Sequence, residues 1–142
     1  MPTYDPKKQV ASWGNITLGD FAQDTFIKVT RDADDFELRQ GAGGFTEFTN
    51  KNSAIHTIEF TVMQTSPIND RLSAALADDR LNNTGVAPFM IKDAGPGGST
   101  LIAFREARIS KPADGDMGGS TKDRVWVLKA GAPSEYNIGG IV

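Results

Sequence analysis

The chain has no cysteine, one histidine, no long apolar run and no surplus of basic charge, and each absence closes off a class of function. Without cysteine there are no disulfides, thiolate metal sites or cysteine nucleophiles, which points to a reducing compartment or to a fold that needs no staples. The single histidine, His56, excludes histidine metal clusters and leaves any serine or carboxylate triad only one base to be built on. It alternates with Ile58 and Phe60 on the apolar face of a strand pattern, so a core or interface histidine is expected and not a catalytic base. The longest apolar run, 86–91, is far below the roughly 20 residues that cross a bilayer, and no apolar segment follows Lys7 and Lys8. Neither a membrane anchor nor a standard secretion signal is expected. With 15 basic against 18 acidic residues, a net charge of −3, there is no basic surface to hold nucleic acid.

The remaining motifs carry no chemistry either. Gly41-Ala42-Gly43-Gly44 lacks the third glycine and following helix of a dinucleotide loop, and Gly95-Pro96-Gly97-Gly98-Ser99-Thr100 lacks the lysine of a phosphate loop, so both read as turns. Asp32, Asp34 and Asp35, and the pair Asp114 and Asp116, lack the ligand spacing of a calcium loop and read as solvated turns. Carboxylate pairs for glycoside hydrolysis are decided by separation in space, and 18 acidic residues make their mere presence uninformative. The expectation is a protein that is not an enzyme and takes no cofactor or metal.

What is present is strand and turn around one helix. At 142 residues and 39% hydrophobic content the chain can bury one core, and it is expected to be a single domain, 1–142. Strand patterns run over 13–18, 26–31, 36–40, 45–49, 55–63, 86–92, 100–110 and 124–129, separated by Gly, Asp and Asn turns. Ser66 as N-cap, Pro67 at the first helical position and Asp70 in the first turn start a helix over about 66–80. Ile68, Leu72, Ala75 and Leu76 share its apolar face, whereas Leu81 falls opposite, which puts the end near Asp79 or Arg80, before the stop at Asn82-Asn83-Thr84-Gly85. The fold class is mainly β: two packed antiparallel sheets forming a sandwich or barrel, one flanking helix, and a long protruding hairpin over about 36–52.

Three strand readings go further. Apolar parity in 100–110 flips between Ile102/Phe104 and Ala107/Ile109, which predicts a β-bulge at Arg105 and Glu106 or a change of packing face there. In 124–129, Trp126 and Leu128 lie on one face and Val125 and Val127 on the other, so the strand needs cover on both sides, from its own helix or another subunit. Phe36, Leu38, Phe45 and Phe48 surround the Gly41–Gly44 hinge with no helix to bury them, so the hairpin either marks a protein interface or folds back on the core.

Taken in order, Tyr4-Asp5-Pro6-Lys7-Lys8, Trp13-Gly14-Asn15-Ile16, Thr30-Arg31-Asp32-Ala33-Asp34-Asp35-Phe36, the glycines 41–44, Met63-Gln64-Thr65-Ser66-Pro67-Ile68-Asn69-Asp70, Ala87-Pro88-Phe89-Met90-Ile91-Lys92-Asp93 and Arg124-Val125-Trp126-Val127-Leu128 resemble the tail tube proteins of contractile-tailed bacteriophages. The resemblance covers nearly the whole chain and rests on the order of these motifs. It implies the tube fold shared with type VI secretion inner tubes, with 1–12 as an N-terminal arm and 36–52 as a hairpin reaching the next ring. Subunits would form homo-hexameric rings stacked into a conduit for DNA, which passes without specific binding and without a membrane. Further partners implied are the tail sheath, baseplate hub and tail terminator proteins, in a virion assembled in the host cytoplasm.

On this reading the inter-ring and inter-subunit contacts are Phe36, Leu38, Phe45, Phe48, Asn50, Val125, Trp126 and Val127. Glu37, Glu59, Asp34 and Asp35 are candidates to face an acidic or neutral lumen, from which DNA slides by weak like-charge repulsion. The alternatives are an inner tube subunit of a secretion or phage-derived injection machine and, from another class, a small tail-tip binding module or enzyme.

Overall fold

The computed structural model describes residues 9–19, 27–52, 54–93, 95 and 99–139. In chain order these form β1 (Gln9–Trp13), β2 (Ile16–Leu18), β3 (Ile27–Arg31), β4 (Phe36–Gln40), β5 (Thr46–Asn50), β6 (His56–Val62), α1 (Ile68–Asn82), β7 (Ala87–Asp93), β8 (Leu101–Lys111), β9 (Arg124–Ala130) and β10 (Glu135–Asn137). The expected mainly β architecture, with two antiparallel sheets and one helix, is the one observed. Of the arm expected over 1–12, residues 9–12 belong to β1; residues 1–8, with Tyr4 to Lys8, lie outside the described residues.

The larger sheet runs β2-β1-β7-β8-β9-β6-β3, with β10 also pairing β8, and β4 and β5 pair with each other in a second sheet. Strand β8 joins the two halves of the larger sheet. Its start, Leu101 to Ala103, pairs with both β7 and β10, and its end, from Ala107, pairs with β9. Between them Ala87 faces Ala107 while Phe89 faces Phe104, so three steps on β8 match two on β7. The extra residue falls at Arg105 and Glu106, both exposed, and it restores Ala107 and Ile109 to the same interior as Ile102 and Phe104. A bulge lets one strand serve both layers of a sandwich.

Each layer turns one face inward, as alternate residues require: His56, Ile58, Phe60 and Val62 of β6 are buried, and so are Trp126, Leu128 and Ala130 of β9. The apolar ones among these join Trp13, Leu18, Phe89 and Phe104 in one cluster, with Phe60, Phe89, Phe104, Ile58, Leu72, Leu128 and Val62 almost completely enclosed. At about 1.5–3 kcal/mol for each large side chain removed from water, this cluster dominates the stabilisation.

Helix α1 closes one side, packing Ile68 and Leu72 into the core with Ala75 and Leu76 at its margin, the expected face. Pro67 sits at φ −65° and ψ −13° just before the first helical residue, and the Ser66 hydroxyl accepts the Ile68 amide at 3.2 Å. The start is one residue later than expected. The end is later too: Leu81 is 83% exposed, as the helical wheel requires, yet the backbone ladder continues beneath it to Asn82. Asn83 terminates the helix in the left-handed conformation at φ 55°, its amide bonded to the Asp79 carbonyl at 2.8 Å.

Candidate functional site

Strands β4 and β5 carry alternating residues with no core beneath them. Leu38 faces Phe48, Phe36 faces Asn50, and Gln40 faces Thr46, so these six share one face of the ribbon. The other face holds Glu37, Thr49, Arg39 and Glu47, with Glu37 reaching Lys51 at 3.5 Å. Every residue of both strands is exposed, Phe36 at 59%, Leu38 at 61%, Phe48 at 73%, and Phe45 at the tip at 75%. The ribbon therefore does not fold back on the core. Its tip is closed by bonds from the Gly41 amide to the Phe45 carbonyl at 2.8 Å and from the Gly44 amide to the Gly41 carbonyl at 3.1 Å. Gly44 adopts φ 87°, a conformation open to glycine and strained for other residues.

The root is fixed to the larger sheet by polar groups. Asp32 accepts hydrogen bonds from the Thr57 hydroxyl at 2.6 Å and from Lys129 Nζ at 2.9 Å, and its amide donates to the Ile55 carbonyl at 3.0 Å. The Thr57 hydroxyl, and then Lys129, hold the Asp32 carboxyl below its ordinary value. Arg31 pairs with Asp35 at 2.7 Å, and the Asp35 carbonyl takes the Lys51 amide at 3.0 Å. Asp34 is exposed in the same turn. Asn50 uses its Oδ1 to accept the Asn52 amide at 2.9 Å and shapes the return of the chain.

On β9 the residues grouped as contacts separate. Trp126 is buried at 3% exposure, and its Nε1 donates to Asn69 Oδ1 of the helix at 3.0 Å. The indole belongs to the core of its own chain. Val125 is 44% exposed and Val127 half-buried, on the outward face. That face also presents Glu59, which lies between Lys28 of β3 and Val127 of β9. His56 is buried as well, its Nδ1 2.8 Å from the Ala54 carbonyl and its ring 5.2 Å from that of Phe104. Asp114 and Asp116, weighed as calcium ligands, instead engage Arg124, whose Nη1 lies 2.9 Å from Asp116 Oδ1.

With this geometry in place, the comparisons are specific about shape. The chain aligns with one in the cryo-EM structure of the anti-feeding prophage cap, the AFP tube terminating cap, at TM-score 0.66 and 10% identity over 96% of this chain and 93% of that one. It aligns with a chain in the tail of the empty GTA particle, solved with C6 symmetry, at TM-score 0.64 and 11% identity over 95% and 99%. A chain in the sheath/tube terminator of an extracellular contractile injection system, PVC, aligns at TM-score 0.61 and 13% identity over 92% and 94%. The chain shares the fold found in these tails and caps. No protein-family model matches it, and no curated protein does.

One element of this tail-type fold escaped the sequence reading. Asp79, on the last turns of α1, is 5% exposed and takes a two-pronged bond from Arg108 of β8, Nε to Oδ2 at 2.7 Å and Nη2 to Oδ1 at 2.6 Å. The Gly85 amide adds a third donor at 3.0 Å, and a side chain at Gly85 would collide with the Asp79 carboxylate. Arg108 is the main cause holding the Asp79 carboxyl below its ordinary value, and Asp79 in turn raises the Arg108 guanidinium. The pair ties the end of the helix to β8 just past the bulge.

Proposed function

We propose that this chain is a structural, non-catalytic subunit of a phage-tail-like tube, assembling with copies of itself into rings through which DNA passes. The observation that carries the reading is the amphipathic ribbon of β4 and β5, unpaired with the larger sheet and exposed along its whole length, on a body with the fold of tail and cap subunits. Six-fold rings are supported by the C6 symmetry of the aligned GTA tail. Sheath, baseplate hub and terminator proteins are the further partners of such a tube, and the virion tail is its place. The edge strand β3, paired on one side by β6, is available for joining sheets around a ring. On the outward face Glu59 stands beside Lys28, and Asp32 beside Lys129, so a bore lined by this face is close to neutral and does not hold DNA by counterion release.

A second reading is favoured by the likeness to the AFP tube terminating cap and the PVC sheath/tube terminator: a subunit that makes one ring and ends a tube. Negative-stain electron microscopy of purified protein over a wide concentration range separates the two. Stacked tubes support the first reading and isolated rings the second. A monomer at every concentration, by microscopy and light scattering, counts against both, and a monomer that binds a saturating sugar points to a tail-tip module.

A further inference from the structure

The ribbon of β4 and β5 is bordered by two strand edges, and its own hydrogen bonds fix which groups each edge offers. The Gly41 amide donates to the Phe45 carbonyl at the tip, and the Lys51 amide to the Asp35 carbonyl at the root. Bonded pairs alternate along an antiparallel ladder, so between those ends Glu37 and Arg39 turn their backbone groups toward β5. The amides and carbonyls of Phe36, Leu38 and Gln40 therefore point the other way, along an edge that no strand pairs among the described residues. An exposed edge of this kind is a template for a further strand.

The sequence of that edge is its own complement. When β4 meets a second β4 running antiparallel, with Leu38 opposite Leu38 of the second copy, Phe36 falls opposite Gln40 and Glu37 opposite Arg39, in both directions. Outward-turned backbone groups then meet their like, which gives about six hydrogen bonds across the new seam. Glu37 and Arg39 share the charged face of the ribbon, so two opposite-charge pairs form at the non-bonded positions, where side chains come closest. Neighbouring registers lose these pairs. Centring on Phe36 sets Glu37 against Asp35, a like-charge contact, and centring on Gln40 sets Arg39 against Gly41 and Glu37 against Gly43. The β5 edge has no such pattern, since self-pairing about Phe48 sets Glu47 against Thr49. The tip that passes the second copy's root is Gly41-Ala42-Gly43-Gly44, with no side chain larger than a methyl.

We propose that β4 is a self-pairing edge, through which two copies of this chain join their ribbons into one four-stranded sheet about a two-fold axis at Leu38. The contact is isologous and closes as a dimer. It sends the two bodies to opposite ends of the shared sheet, so it does not repeat along a polar stack. It is a resting form of the free subunit, independent of the tube reading, and it is given up before the β4 edge serves any other contact.

Sedimentation velocity of the full chain, at concentrations below those that give rings or tubes, should show monomer and dimer in equilibrium. Glu37→Lys and Arg39→Glu each turn both attractive pairs into repulsive ones and should weaken the dimer about tenfold. Both positions are exposed, so the melting curve by circular dichroism should stay that of the parent. Mixing the two variants sets the introduced lysine opposite the introduced glutamate, and Arg39 opposite Glu37, and should restore a heterodimer to within about threefold of the parent. The natural absence of cysteine allows a second measurement. Leu38→Cys, about 5.5 Å from itself across the seam between Cα atoms, should form a disulfide dimer on treatment with diamide. Phe48→Cys, at a position more exposed than Leu38, 73% against 61%, should form far less. Charge variants that dimerise like the parent, a mixture that does not recover, equal disulfide yields at the two positions, or no dimer at any concentration each overturn the inference and leave the tube reading as it was. Dimers with this signature that never give way to rings overturn the tube reading alone.

Discussion

Strand β6 and the ribbon of β4 and β5 carry the same kind of alternation and meet opposite fates. His56, Ile58, Phe60 and Val62 are buried, whereas Phe36, Leu38 and Phe48 lie open to solvent. The difference is one of supply. The inward face of β6 finds the helix and the opposite layer within its own chain, while the apolar face of the ribbon, carried beyond the sheet on a polar root, finds no cover among the described residues. Alternation shows that one face is meant to be covered; it does not say which molecule covers it.

Truncating the two regions should break them apart most widely. Phe60→Ala removes a fully enclosed ring and should cost about 3–5 kcal/mol of stability, measured by chemical denaturation. If the loss is below about 1 kcal/mol, the core described above is not what holds the fold. Next comes the link between helix and sheet. Because the folded carboxyl of Asp79 titrates below its ordinary value of 3.8, its contribution is present above that pH and is lost as the pH falls through the lowered value. Asp79→Asn should therefore lower the melting temperature near neutrality, by less than Phe60→Ala, and should flatten the fall in stability between neutrality and acid. An unchanged acid limb would assign that fall to Asp32 and other carboxylates.

The ribbon lies at the other extreme. Phe48→Ala should shift stability by no more than ~0.5 kcal/mol, and it should weaken assembly at an unchanged monomer fold. Removing residues 40–48 altogether should leave a body with the melting curve of the parent and no ability to stack. Should the deletion unfold the chain, the ribbon is part of the core's support and does not differ from β6 in this way. The smallest effect is expected at the tip, where Gly44→Ala strains a residue at φ 87° and should raise amide exchange in the ribbon while leaving exchange in β6 and β9 as it was.

What could be read from the sequence was set by local rules. The helix start, found one residue beyond the expected Pro67, and the bulge at Arg105 and Glu106 follow from capping and parity over a few residues. The features that escaped depend on residues far apart in the chain. Arg108 reaches Asp79 across 29 positions, and neither residue's neighbours announce the pair. Parity separates Trp126 from Val125 and Val127, but with apolar residues on both faces it does not say which face turns inward; the core around Trp126 and Leu128, with Asn69 beside the indole, decides that. Strand β10 spans three residues, exposed throughout, and exists because β8 offers it an edge beside β9. Among the candidate contacts the ribbon was legible as a hairpin, while its standing off the core, left open by the sequence, is seen only in the structure.

The sheet order has a consequence in time. Strand β1 pairs with β7, Ala11 opposite Ile91, so its place in the sheet does not exist until roughly 80 more residues have been made. At about 5–20 residues per second, a growing chain waits several seconds for that pairing. The ribbon needs only its own two strands, and hairpins of this size close in about 1–10 μs. On every nascent chain, then, the sticky face is finished long before the body that carries it, and neighbouring chains on one message pass through that interval together.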